Sequence, residues 1–243
     1  MEKRRDSLPF LHLVPNLVTI LGMCAGLTAI RFTFDGRFEL AAGLIVFAAI
    51  MDGIDGLLAR KLNAASSFGA ELDSFADFVS FGVAPSILVF GYALSGPMAG
   101  PGWIFVLVFA VCACLRLARF NISRATPEGA ASKYFVGVPA PAGAMLGLLP
   151  VYAGLAGWVD PSRFPVLTAL FLAAIGLLMV SRLPTPSLKG VRIARQDAVW
   201  VLVGMGALVG LLITRFWLTL LLIDLVYLGL LAWLALQRAT RKT

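Results

Sequence analysis

Long blocks of apolar residues separated by short polar intervals run the length of the chain, with neither strict alternation nor a one-faced stripe organising them. Blocks of about 18 or more apolar residues are long enough to cross a hydrocarbon core of roughly 30 Å as helix. The pattern predicts eight spans, at Val14–Phe32, Phe38–Leu58, Leu72–Leu94, Gly102–Phe120, Val136–Val159, Phe164–Ser181, Val199–Ile213 and Trp217–Leu236. The seventh is short enough to form a tight hairpin with the eighth. No interval has room for a separate soluble domain, so residues 1–243 read as one membrane domain. Lys3, Arg4 and Arg5 precede the first block as they would in a signal peptide. The block itself is too long for a signal h-region and lacks a clean small-x-small cleavage site, so it is expected to remain as the first span.

Composition agrees with the pattern. The chain is 60% hydrophobic and 14% charged, with a mean hydropathy of +0.91, whereas a soluble domain carries about 25% charged residues. The net charge of +7 sits in short clusters between the apolar blocks. With eight spans and the N-terminus in the cytoplasm, sixteen lysines and arginines fall inside and only Arg31, Arg37, Arg163 and Arg215 outside. One span too many or too few would scramble that segregation, so positive-inside bias supports the count. Both termini are then cytoplasmic, in the cell (inner) membrane. No aromatic-basic platform or recognition helix accompanies the charge, which argues against nucleic acid. Arg182, Lys189, Arg192 and Arg195 read as contacts to anionic membrane phospholipids. Cys24, Cys112 and Cys114 lie inside apolar blocks without metal-ligand spacing. His12 is the only histidine, which excludes a histidine-rich metal site.

The chemistry lies in the segment that begins at Met51, MDGIDGLLARKLNAASSFGAELDSFADFVSFG. It puts Asp52, Asp55, Asp73 and Asp77 at the cytoplasmic ends of the second and third spans. An aspartate costs about 2.5–3.5 kcal/mol at the centre of a span and less near its end. One such residue can be structural, paired with Arg60 or Lys61, or can line an ion path. Four need a common explanation. Asp52 and Asp55 are three apart and Asp73 and Asp77 four apart, so each pair shares a helix face. Packed side by side, the two helices would bring all four to one pocket. Like charges about 4 Å apart repel by roughly 4 kcal/mol at an effective dielectric of 20, so protons or cations must sit between them. Hard oxygen ligands favour Mg²⁺, Mn²⁺ or Ca²⁺. Gly56 and Gly69 leave room beside the acids, and Arg60 offers a cation for a phosphate oxygen.

Here a resemblance becomes specific. Asp52-x2-Asp55-Gly56-x2-Ala59-Arg60-x8-Gly69-x3-Asp73-x3-Asp77 matches in full the signature of the CDP-alcohol phosphotransferase family. Eight fixed positions would coincide by chance about once in 10¹⁰ starts. The resemblance implies an all-α polytopic fold of about eight transmembrane helices with a six-helix core, and a homodimer. It also implies a divalent cation, Mg²⁺ or Mn²⁺, two per site, held by Asp52, Asp55, Asp73 and Asp77. Asp77 resembles the general base that takes the acceptor hydroxyl proton. Gly56, Ala59, Arg60 and Gly69 resemble the nucleotide-diphosphate cradle. The implied reaction is attack of an alcohol on the lipid-bearing phosphorus of a CDP-activated lipid, with CMP leaving.

The signature is silent on the acceptor. Four further stretches resemble the bacterial and archaeal branch of the family that uses serine: Pro15–Thr19, Ser80–Pro85, Leu115–Asn121 and Ser181–Lys189. This implies CDP-diacylglycerol and L-serine as substrates. Arg116 and Arg119, three apart at the end of the fourth span, can reach a serine carboxylate, and Asn121 can add a hydrogen bond. The same two arginines can instead be membrane anchors or phosphate contacts. Glycerol 3-phosphate, inositol phosphate and choline are the alternative acceptors. A divalent-cation transporter would use the same acids as a filter, but expects carboxylates near mid-membrane on several spans.

Overall fold

A computed structural model describes residues 10–64, 66–125, 135–181, 184–185 and 198–240. Lys3, Arg4, Arg5, Arg182, Lys189, Arg192 and Arg195 lie outside them. The described chain is helical, in the order α1 (Val14–Phe34), α2 (Phe38–Lys61), α3 (Ser67–Leu94), α4 (Ala99–Ala125), α5 (Ala140–Gly147), α6 (Leu149–Leu155), α7 (Pro165–Val180), α8 (Ala198–Thr214) and α9 (Phe216–Thr240). Five of these helices are long and apolar enough to cross a membrane, namely α1, α2, α3, α4 and α9. Helices α7 and α8 are shorter and equally apolar. The protein is a polytopic membrane protein, and a helix occupies each of the eight predicted spans.

Local chemistry explains where the helices begin and end. Helix α1 has Pro15 in its first turn, where a missing N–H costs nothing. It stops at Asp35-Gly36, with Gly36 at φ +70° and the Arg37 N–H closing back on the Phe32 carbonyl at 2.8 Å. That tight turn makes α1 and α2 an antiparallel hairpin. Helix α2 ends in a Schellman turn: Asn63 takes the left-handed conformation at φ +50°, and the Ala64 N–H donates to the Ala59 carbonyl at 3.0 Å. Ser66 then caps α3, its hydroxyl accepting from the Gly69 N–H at 3.0 Å. The cap lets α3 start at Ser67, five residues earlier than the apolar pattern predicts. Within α3, wide π-helical turns cover Phe78–Val83 and Phe90–Leu94.

The fifth predicted span differs most from expectation. Phe135–Val136 is an extended stretch (β1) paired antiparallel with Pro184–Thr185 (β2), and Gly137 follows at φ +84°. Helix therefore begins only at Ala140. It breaks again at Leu148, because Pro150 cannot donate to the helical ladder and its ring crowds the preceding turn.

Small residues set the packing. Ala41, Ala42, Ile45 and Ala48 of α2 are buried against Ala25 and Ala29 of α1. Where α1 crosses α3 the backbones nearly touch: a Cβ on Gly26 would lie 2.9 Å from the Ser80 Cα. Such small-residue crossings are how helices approach closely in lipid. Phe109 of α4 sits against Gly147 and Gly176, in a core that includes Leu88, Leu146, Tyr152, Leu172 and Ile175. Helix α8, by contrast, is exposed along nearly its whole length.

Candidate active site

Helices α2 and α3 both pack against α1, and the last half of α2 faces the first half of α3 across a cleft. At a rise of about 1.5 Å per residue, Asp55 and Asp73 sit roughly 9 Å in from the adjacent helix ends. Asp52 and Asp77 sit deeper, at about 13 and 15 Å on the same scale. The acids thus form two layers below the rim rather than a ring at the helix ends.

The structure brings these side chains together. Oxygens of Asp52, Asp55 and Asp73 all lie within 4.8 Å of one another. Asp77 joins from the deeper layer, its carboxyl in hydrogen-bonding contact with that of Asp52. All four line one small cleft, bounded on the α1 side by Thr19, Gly22 and Met23 and further by Ser80 and Phe81. The wide turn at Phe78–Val83 starts at the residue after Asp77, and π-type turns inside helices often mark functional sites. Three carboxylates at this spacing suit a hard divalent cation, and their mutual repulsion is what such an ion relieves.

The remaining sequence candidates separate by position. Gly56 has open space where a Cβ would stand, as does Gly53 one turn earlier. Beside them Ile54 and Leu57 are exposed, so this flank of α2 is apolar and open. Gly69 is more crowded. A Cβ there would meet the Asn16 Oδ1 at 2.9 Å and the Ser66 Oγ at 3.1 Å, so this glycine admits the Asn16 side chain of α1. Arg60 is exposed on the last turn of α2, and Ala59 is the carbonyl that closes the helix-ending turn.

The arginines of α4 point to different places. Arg116 is half-buried and within electrostatic reach of Asp77, Asp52 and Tyr227 of α9. Its guanidinium lies over the Phe120 ring at 5.5 Å. Arg119 is exposed and donates to the Val180 carbonyl at 2.7 Å, the last residue of α7. Asn121 turns toward α3, its amide donating to the Ser74 Oγ at 2.9 Å, next to Asp73.

Sequence reasoning gave no role to Thr19 or Ser74. Thr19 Oγ1 donates to the Asp55 Oδ2 at 2.6 Å, from a helix that carries none of the four acids. A threonine in an apolar helix is a weak signal, because the hydroxyl ordinarily bonds back to the carbonyl four residues earlier. Thr28 and Thr33 do so in the same helix. Only the packing of α1 on α2 distinguishes Thr19.

Taken together, the fold and the cleft define a membrane-embedded carboxylate centre between α2 and α3, walled on one side by α1. A model of the CDP-alcohol phosphatidyltransferase family matches residues 12–203, and the chain belongs to that family. It is 40% identical over 188 residues to a CDP-diacylglycerol–serine O-phosphatidyltransferase of Mycobacterium leprae, covering 75% of this chain and 61% of that protein. It is 36% identical over 182 residues to the enzyme of the same name from Helicobacter pylori, covering 75% of each. A third of that name, from Bacillus subtilis, is 36% identical over 180 residues, which is 74% of this chain and 93% of that protein. The chain thus spans under two thirds of the mycobacterial relative's length. Helix α9 lies beyond the family match altogether.

Proposed function

We propose that this chain transfers the phosphatidyl group of CDP-diacylglycerol to the hydroxyl of L-serine, giving phosphatidylserine and CMP. The observation that carries the reading is the convergence of Asp52, Asp55, Asp73 and Asp77 on one cleft with Arg116 beside the deeper pair. The family match and the names of the relatives support the acceptor.

Asp52, Asp55, Asp73 and Asp77 would hold the divalent cation, Mg²⁺ or Mn²⁺, two per site. Bound there, the ions neutralise the diphosphate and polarise the phosphorus under attack. Asp77, in the deeper layer, accepts the proton of the serine hydroxyl as its oxygen bonds to the lipid-bearing phosphorus. The bond from that phosphorus to the CMP oxygen breaks, and CMP departs with the electron pair. The open flank at Gly53 and Gly56 gives the diphosphate room, with Ala59, Arg60 and Gly69 completing its cradle. Arg116 pairs with the serine carboxylate, which arrives as a second negative group at an already acidic site and needs a cation. Arg119 and Asn121 belong to the same acceptor wall, Asn121 through Ser74. The centre faces the cytoplasm, both termini lie on that side of the inner membrane, and the protein works as a homodimer.

Purified protein with CDP-diacylglycerol and Mn²⁺, offered serine, glycerol 3-phosphate, inositol phosphate and choline in turn, tests the reading. CMP release with serine alone, abolished by chelation, is the expected result. Turnover with another acceptor would replace serine and keep the chemistry; metal flux into proteoliposomes without CMP release would overturn both.

A further inference from the structure

The geometry points to Thr19 as a positioning residue that fixes Asp55 in its metal-binding orientation. The inference rests on the metal-dependent reading above and is independent of the acceptor.

Helix α1 supplies no carboxylate to the cleft, yet it forms one wall of it. What it brings to the acids is a hydroxyl. Thr19 Oγ1 stands 2.6 Å from the Asp55 Oδ2 and 3.1 Å from the Pro15 carbonyl oxygen. The hydroxyl carries one proton, and the shorter contact is the one to Asp55. Both side chains are buried, at 7% and 6% exposure, so water does not compete for either. With Oδ2 engaged by α1, the plane of the Asp55 carboxylate is set while the group stays within 4.8 Å of Asp52 and Asp73.

The arrangement has a physical purpose. Without a donor, three carboxylates this close would turn away from one another before any cation arrived, and each re-orientation would weaken binding. A hydroxyl gives one of them a fixed acceptor role at no cost in charge. An arginine or lysine in its place would hold Asp55 too, but would cancel the charge that attracts the cation. Groups that orient metal ligands in this way are typically worth 10- to 100-fold in metal affinity or activity. Four other helix threonines, Thr28, Thr33, Thr214 and Thr219, bond to their own helix at the carbonyl four residues back. Thr19 has that carbonyl within reach as well, and turns instead toward the neighbouring helix.

The test is Mn²⁺ binding to the full chain in detergent, by calorimetry and by the electron-spin signal of the free ion, with no lipid or serine present. Thr19→Val keeps the shape of the side chain and removes the donor; it is expected to weaken Mn²⁺ binding by about 10- to 100-fold. Thr19→Ser keeps the donor and is expected to bind as the unaltered protein does. Wild-type affinity in Thr19→Val, or a loss in Thr19→Ser equal to that in Thr19→Val, would overturn the inference. Should Thr19→Val fail to fold, Thr19→Ala takes its place in the same titration. Failure of both to fold without metal would make Thr19 a packing residue and sink the proposal. Absence of Mn²⁺ binding by the unaltered protein would instead strike at the metal centre itself.

Discussion

On the proposed mechanism Asp77 and Arg116 have different tasks, and their substitutions should fail in different ways. Asp77→Asn keeps the shape and removes the base, so CMP release should fall by about 10²–10⁴-fold, the usual worth of general base catalysis. A variant that released CMP at an undiminished rate would place the base elsewhere. Arg116→Ala should raise the KM for serine by about tenfold or more, as expected for a charge-assisted hydrogen bond of roughly 1.5–3 kcal/mol, and move the KM for CDP-diacylglycerol far less. Equal effects on both substrates would make Arg116 a phosphate contact. The four aspartates were legible in the sequence because nothing in an apolar block disguises a carboxylate. Arg116 and Arg119 could not be told apart, since residues three apart lie only about 60° from one another around a helix. What separates them is α7, whose final carbonyl at Val180 takes up Arg119. Thr19 was illegible for a related reason: its partner is 36 residues away, on another helix.

Among the helices, the crossing of α1 and α3 is the contact that seats Asp77 beside Asp52. Gly26 has no room for a side chain there, with Ser80 directly behind it and the Ser80 hydroxyl bonded to the Gly22 carbonyl at 3.2 Å. Gly26→Val should cost about 1–3 kcal/mol in stability, read as a lowered midpoint of thermal unfolding in detergent. Gly43→Ala, on α2 where a Cβ meets nothing within 4 Å, should leave the midpoint unchanged. Because alanine and valine both favour helix over glycine, comparable losses in the two would show that the crossing does not govern the effect. Most helix limits could be read from the apolar pattern to within a few residues, since the blocks end where Gly, Pro, Asn and Ser cluster. The break in the fifth span was carried by a single residue, Pro150, inside a block whose hydropathy never falls. The wide turns in α3 fall beside Gly82 and Pro85 and at Gly91, a proline and two glycines inside a block whose apolar pattern continues across them.

For the molecule as a whole, the proposed eight-span topology puts both ends of the chain on the cytoplasmic side of the membrane. Fusions of a reporter active only outside the inner membrane should therefore be silent at the N- and C-termini and active at the loop around Asp160. Activity at the C-terminus alone would mean an odd number of crossings, with the short α8 failing to span. The overall plan was the most legible level of all, since apolar length and basic flanks are properties of composition that packing does not alter. Under the proposed reaction, the two layers of carboxylates below the rim, with the exposed apolar flank of α2 at Gly53 and Gly56 nearby, have a consequence for traffic. A greasy donor can slide in from the side while a water-loving acceptor drops in from above. Neither reactant has to queue behind the other at a shared doorway, and the spent lipid product is already back in the leaflet where it belongs.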